Sequence, residues 1–218
     1  MKTALLVLVL IGVWPAHARE QQLTLSLWSE LEPMVAEGEE YPVSEETAAR
    51  RLLEEARLYL SAMIFGYRFT YIPKDRARAL DDHFDLTPVA EIPWGDPSLR
   101  IVYVERREDR LVAKVSYDLQ AYQTDRRRAW GSNAIPVAGG LAEQSALGGQ
   151  AARLAAFQEA VKQAVRDYAR TRYPSKPREI AGDVLLWEEP CTVISRGAYN
   201  TRVTVKLRVE EITPYRVF

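Results

Sequence analysis

Cysteine is nearly missing: Cys191 is the only one in 218 residues. That excludes an intramolecular disulfide, a C-x-x-C redox pair and iron–sulfur ligation. Histidine is almost as scarce, with only His17 and His83, too few for the usual multi-histidine zinc centre. Charge of one sign is missing too, because 29 Lys+Arg stand against 30 Asp+Glu. Without a basic excess the electrostatic footprint of a dedicated nucleic-acid binder is absent. No G-x-S-x-G, G-x-x-x-x-G-K-[ST], G-x-G-x-x-G or H-E-x-x-H occurs, which removes the sequence signatures of several hydrolase, nucleotide and metalloprotease chemistries. What is present is ordinary: 47% hydrophobic and 27% charged residues, the composition of a globular domain.

One long apolar run stands at the start. Lys2 precedes Ala4 to Val13, Trp14-Pro15 interrupts, and Ala16-His17-Ala18 offers a small-x-small cleavage pattern. The run is about half of the roughly 20 apolar residues a spanning helix needs. Residues 1–18 therefore read as a cleavable signal peptide. The expected mature chain is a single domain over residues 19–218, periplasmic or secreted, without a transmembrane segment. Lipid attachment is not indicated, since no cysteine follows the run. Cys191 is expected to be buried and inert, as free cysteines commonly are.

Periodicity predicts an α+β fold. Gln22 to Trp28 alternates as a strand, and the acidic, proline-punctuated stretch Glu30 to Pro42 reads as a linker. Ser44 suits a helix N-cap, and Ala49, Leu52, Leu53, Ala56, Tyr59, Leu60, Met63 and Ile64 form an apolar helical stripe to about Phe65. Tyr67 to Tyr71 reads as a strand and Lys74 to Phe84 as a short polar helix. Ile101 to Glu105 and Leu111 to Leu119 read as a hairpin. Gly131 to Gln150, with Gly139-Gly140 and Gly148-Gly149, reads as a long glycine-rich segment, either functional or disordered. A second amphipathic helix is predicted over Ala151 to Tyr173. Strands follow at Asp183 to Trp187, Thr192 to Ser195 and Thr201 to Val209. In the last, Val205 and Leu207 should face the core and Lys206 the solvent. The expectation is thus two long amphipathic helices packed on one face of an antiparallel sheet. The chain also reads as two helix-then-strands units, about 44–119 and 151–212, joined through residues 131–150.

Three clusters could carry function. Asp81-Asp82-His83-Phe84-Asp85 is the one dense group of reactive types. Neighbours on a helix point about 100° apart, so they would not converge on one ion, and no metal, catalytic residue or cofactor is assigned. Arg126, Arg127 and Arg128 beside Trp130 could grip an anionic surface or guard a sheet edge. Together with Gly139 and Gly140 in the flexible segment they are the candidate binding residues. Tyr67, Phe69 and Tyr71 could stack a sugar, though filling the core is the plainer role.

The reading leans away from an enzyme. It favours an exported envelope protein with a non-catalytic interaction, scaffold or assembly role, whose partner is another envelope protein. The alternatives are a periplasmic small-ligand or glycan-binding domain and a carboxylate-dependent hydrolase built on Asp81, Asp82, His83 and Asp85.

Overall fold

A computed structural model describes residues 22–34 and 41–215. The proposed signal peptide, the mature terminus at Arg19 and half of the expected linker lie outside the described residues. The elements run β1 (Gln22–Glu30), α1 (Glu45–Ile64), β2 (Tyr67–Ile72), β3 (His83–Pro88), β4 (Leu99–Arg107), β5 (Arg110–Asp118), α2 (Ala121–Trp130), β6 (Val137–Ser145), α3 (Gly149–Arg172), β7 (Glu179–Leu186), β8 (Cys191–Ser195) and β9 (Ala198–Thr213).

The strands form two antiparallel sheets. One has three strands in the order β1-β5-β4; the other has six in the order β3-β2-β7-β9-β6, with β8 also paired to β9. This corrects the expectation of two long helices on one face of a single antiparallel sheet. Strands outweigh helices, 42% to 32%, and the helices do not share one sheet. α3 lies on β6 and β9, whereas α1 is wedged against β1 and β5 of the small sheet and β7 of the large one. β2 from the first of the expected units pairs with β7 from the second, so the two share a sheet.

The wedge explains the composition of α1. Ser44 caps it, its hydroxyl accepting from the Thr47 N–H at 3.2 Å, with Glu45 and Glu46 in the favourable first turn. Every residue from Tyr59 to Ile64 is buried, so this end of the helix has no solvent face, as expected where apolar residues run all round. Gly66 then turns the chain at φ +74°. A Cβ there would also meet the Val184 carbonyl oxygen at 2.4 Å. On α3 the buried face is mostly small: Ala156, Ala160, Ala164 and Ala169 with Phe157, Val161 and Val165. Small side chains let a helix come close, and it does. A Cβ on Gly140 of β6 would sit 1.9 Å from the Ala160 carbonyl oxygen. Gly140 is a contact surface for α3.

Other expectations change with it. Residues 74–84 are not a helix: a short 3-10 turn at Arg76–Arg78 leads into β3, which starts at His83. The glycine-rich segment contains β6 and the start of α3. Val205 and Leu207 are fully buried, but so is Lys206. Its ammonium donates to the Ser132 carbonyl at 3.1 Å and lies 4.3 Å from the Trp187 ring. The alternation is real; what it missed is that the outer face of β9 is also covered here.

Candidate functional site

β4 is an edge strand with no buried residue. It hairpins into β5 across Glu108 and Asp109, with Glu108 at φ 52°. α1 lies over β1 and β5 and leaves β4 exposed: Ile101, Val102, Tyr103 and Val104 are 40, 60, 48 and 49% exposed. Four adjacent, β-branched or aromatic side chains in water are unfavourable surface, worth roughly 25 cal/mol for each Å2 of apolar area that could be buried. No strand pairs with the outer edge of β4 among the described residues.

A bulge shapes this edge. Ile101 stands opposite Val115, and Tyr103 opposite Lys114, leaving Val102 as the extra residue. Buried Leu111, Ala113, Val115 and Tyr117 mark the α1 side of β5. By register, Leu99, Ile101, Val104 and Arg106 share that side, and Arg100, Tyr103 and Glu105 share the other. Charges border the apolar run. Arg100 pairs with Asp118, and Arg107 with Glu105 at 2.6 Å. The Tyr103 hydroxyl and then Arg107 hold the Glu105 carboxyl below the usual range.

On the opposite edge of the same sheet one backbone donor is engaged. The Ser26 N–H of β1 donates to the Glu189 carboxylate at 2.5 Å. Burial holds the Glu189 carboxyl above its usual range, with the Ser26 hydrogen bond opposing. A carboxylate occupying a strand donor blocks it from a further strand.

The residues singled out from sequence are dispersed. Arg126, Arg127 and Arg128 lie on α2. The first two face the C-terminal end of α1, which has no basic residue of its own in the last turn. Arg126 donates to the Phe65 carbonyl at 2.7 Å, Arg127 to that of Met63 at 2.5 Å. Two guanidinium groups thus satisfy helix-end carbonyls and complement the dipole. Burial lowers the Arg127 pKa. Arg127 also lies 5.3 Å from the Trp187 ring, and with Arg128 and Trp187 it borders a cleft of about 460 Å3. Arg128 is exposed beside Asp125 at 3.5 Å. Trp130 is buried under Arg208, 4.7 Å from its ring. Gly140 is buried against α3 and Gly139 exposed on the other face of β6, so neither joins the arginines.

The acidic cluster is also divided. Asp82 pairs with Arg166 at 2.7 Å, Asp81 with Lys74 at 3.1 Å, and Asp85 accepts from the Thr87 hydroxyl at 3.0 Å. Among the described residues, no group of three or more His, Cys, Asp or Glu is arranged to hold a metal ion. Tyr67, Phe69 and Tyr71 are buried, with Phe84 5.5 Å from Tyr71. The Tyr71 hydroxyl, desolvated and next to Asp82, is pushed up to about 12. It reaches a second cleft of about 460 Å3 bordered by Arg166, Tyr173, Lys176 and Ile180.

Two features were not anticipated. Cys191 is exposed, because it opens β8 at the rim of a cavity of about 300 Å3 shared with Trp28, Arg153 and Glu189. Beneath it lies a buried ion pair: Arg153 Nε contacts Glu55 Oε1 at 2.9 Å, and the Tyr59 hydroxyl donates to the same oxygen at 2.6 Å. Burial pushes the Glu55 carboxyl up, opposed chiefly by Arg153. A signal was available, since Glu55 sits inside the apolar stripe of α1 and Arg153 on the alanine face of α3.

Among the described residues, no helix is long and apolar enough to cross a membrane. No solved structure matches the chain. A Treponema pallidum (strain Nichols) protein described as uncharacterised is 23% identical over 205 residues, covering 94% of this chain and 86% of that one. A protein-family model of unknown function matches residues 12–215, nearly the whole chain, and the protein belongs to that family.

Proposed function

We propose that the protein is exported to the cell envelope and acts there as a non-catalytic interaction protein, docking another polypeptide along β4. The observation that carries this reading is the run Ile101-Val102-Tyr103-Val104, exposed on an unpaired sheet edge. Such an edge recruits an extended segment by β-augmentation: main-chain hydrogen bonds supply affinity and alternating side chains supply selectivity. The export part rests on the n-h-c order of residues 1–18. Mass spectrometry of protein from its host should find Arg19 at the N-terminus; an intact Met1 on envelope-fraction protein would remove it. Docking is tested by co-purification from the host envelope. Proteins captured by the wild-type chain should be lost with the folded Val102→Lys/Val104→Lys variant, and unchanged capture would end the proposal.

Ligand binding is a second reading, favoured by the cleft at Tyr71, Arg166 and Tyr173. Its volume falls within the range typical of small-molecule sites. A folded Tyr173→Ala variant that lost binding of a small anionic aromatic probe, with β4 function intact, would favour it over docking.

A further inference from the structure

The β4 edge reads as complementary to itself, and the reason lies in its bulge. Two antiparallel copies of a strand related by a twofold axis keep their faces, so residues opposite one another must lie on the same side. In an unbroken strand Arg100 and Glu105, five positions apart, would lie on opposite sides. The extra residue Val102 reverses the alternation between them. Arg100 stands opposite Ser116 and Glu105 opposite Val112, on the side facing away from α1. Ile101 and Val104, opposite Val115 and Ala113, fall together on the α1 side. Both pairs can therefore face their symmetry mates at once.

In that register Arg100 of each copy meets Glu105 of the other, twice per pair of chains. Ile101 meets Val104, also twice, and Val102 meets Tyr103 near the axis. Shifting the register one residue either way sets Arg100 against Val104 or Arg106, breaking the facial match. Shifting it two residues toward the C-terminus restores the match but sets Arg100 against Arg107. Shifting it two residues the other way also keeps the faces but sets Arg100 against Tyr103 and leaves Glu105 without an arginine opposite. Of the registers that match faces, the Arg100–Glu105 one pairs opposite charges and joins apolar residues, the combination that stabilises cross-strand neighbours. On the far edge the Ser26 donor of β1 is engaged by Glu189. A twofold contact at β4 would end at β1 on both sides and form a closed pair of chains.

We propose that the occupant of the β4 edge is a second copy of this chain, paired antiparallel in the Arg100–Glu105 register to give a continuous sheet of the two small sheets. This rests on the docking reading of β4. Light scattering coupled to size exclusion, over a concentration series of the host-processed protein, tests it. Wild type should approach twice the chain mass. Arg100→Glu and Glu105→Arg should each weaken association about tenfold by opposing like charges twice per dimer. The double variant should recover to within a few fold of wild type. That recovery cannot come from within one chain, since Asp118 and Arg107, the intramolecular neighbours, remain mismatched. Circular dichroism confirms that each variant is folded. A monomeric wild type, or a double variant no better than the singles, overturns self-pairing. If such a monomer still loses its captured proteins with Val102→Lys/Val104→Lys, the docking reading survives alone. A dimer that persists in that variant overturns self-pairing and removes β4 as its seat.

Discussion

β4 and β6 are both nine-residue strands at the edge of a sheet, and both show large apolar residues to water. On β6 the exposed residues alternate. Val137 and Leu141 face out while Ala138, Gly140 and Ala142 face α3. On β4 the exposed apolar residues are consecutive, because in this sheet α1 covers β1 and β5 and not β4. A strand with one packed face is explained by folding alone; scattered apolar residues on its outer face are normal. Exposure on both faces is not explained by folding, and a contiguous apolar patch of that kind marks an interaction surface. The comparison is between a strand that the fold uses and one that it leaves available.

The largest effects should fall on the covered side. α3 is held to α1 by the Glu55–Arg153 pair, and through α3 the cover over β6 is held too. Arg153→Met should cost about 3–5 kcal/mol in urea unfolding, because it leaves the Glu55 charge buried without its partner. The sign of the pH dependence checks the cause. Burial already holds the folded-state Glu55 pKa above the usual carboxylate range, and losing Arg153 raises it further. The folded state of the variant then binds a proton more readily than the unfolded state. Its deficit should shrink as pH falls through the folded-state pKa toward the ordinary carboxylate value of the unfolded chain, and grow as pH rises. A pH-independent deficit would mean that lost packing, not uncompensated charge, is responsible.

Gly140→Val is next, at about 3 kcal/mol. The new side chain meets the backbone of α3, which cannot rotate aside. Gly139→Val, on the open face of the same strand, should cost far less, and equal losses would show that the face assignment of β6 is wrong. Arg127→Ala should cost about 1.5–3 kcal/mol, the worth of a charge-assisted bond to a helix-end carbonyl. Arg128→Ala, one residue further and exposed, should remain within about 0.5 kcal/mol. If it lost as much as Arg127→Ala, capping of α1 would not explain the difference.

What was legible in the sequence follows from which residues carried contrast. α1, α3 and β9 were legible because large apolar residues recur at spacings of three and four or of two. β6 was hidden because its inward residues, Ala138, Gly140 and Ala142, are small; the close approach of α3 requires that, and it erases the hydrophobic alternation. α2 was hidden for the opposite reason, since only Gln123 and Trp130 of its ten residues are buried and its arginines serve another helix 61 to 64 positions away. The second sheet could not be read because strand signals say nothing of which strands pair. β4 itself was recognised as half of a hairpin. Its functional character was not, because an apolar strand and an apolar strand left uncovered have the same sequence.

The smallest expected effect is the one that separates the two edges most sharply. Val102→Lys and Val104→Lys should change stability by no more than about 0.5 kcal/mol each, as surface substitutions commonly do. Neither side chain is buried, and lysine at an edge is a common guard against pairing. Leu141→Lys, on the exposed face of β6, should be equally neutral. The two strands should then diverge in association. Leu141→Lys should leave self-association unchanged, while the β4 substitutions return the chain to its monomer mass. Because none of the three alters stability, the divergence cannot be ascribed to unfolding. A β4 lysine that destabilised the chain by several kcal/mol would show instead that β4 is covered from within, and the contrast between the two edges would vanish.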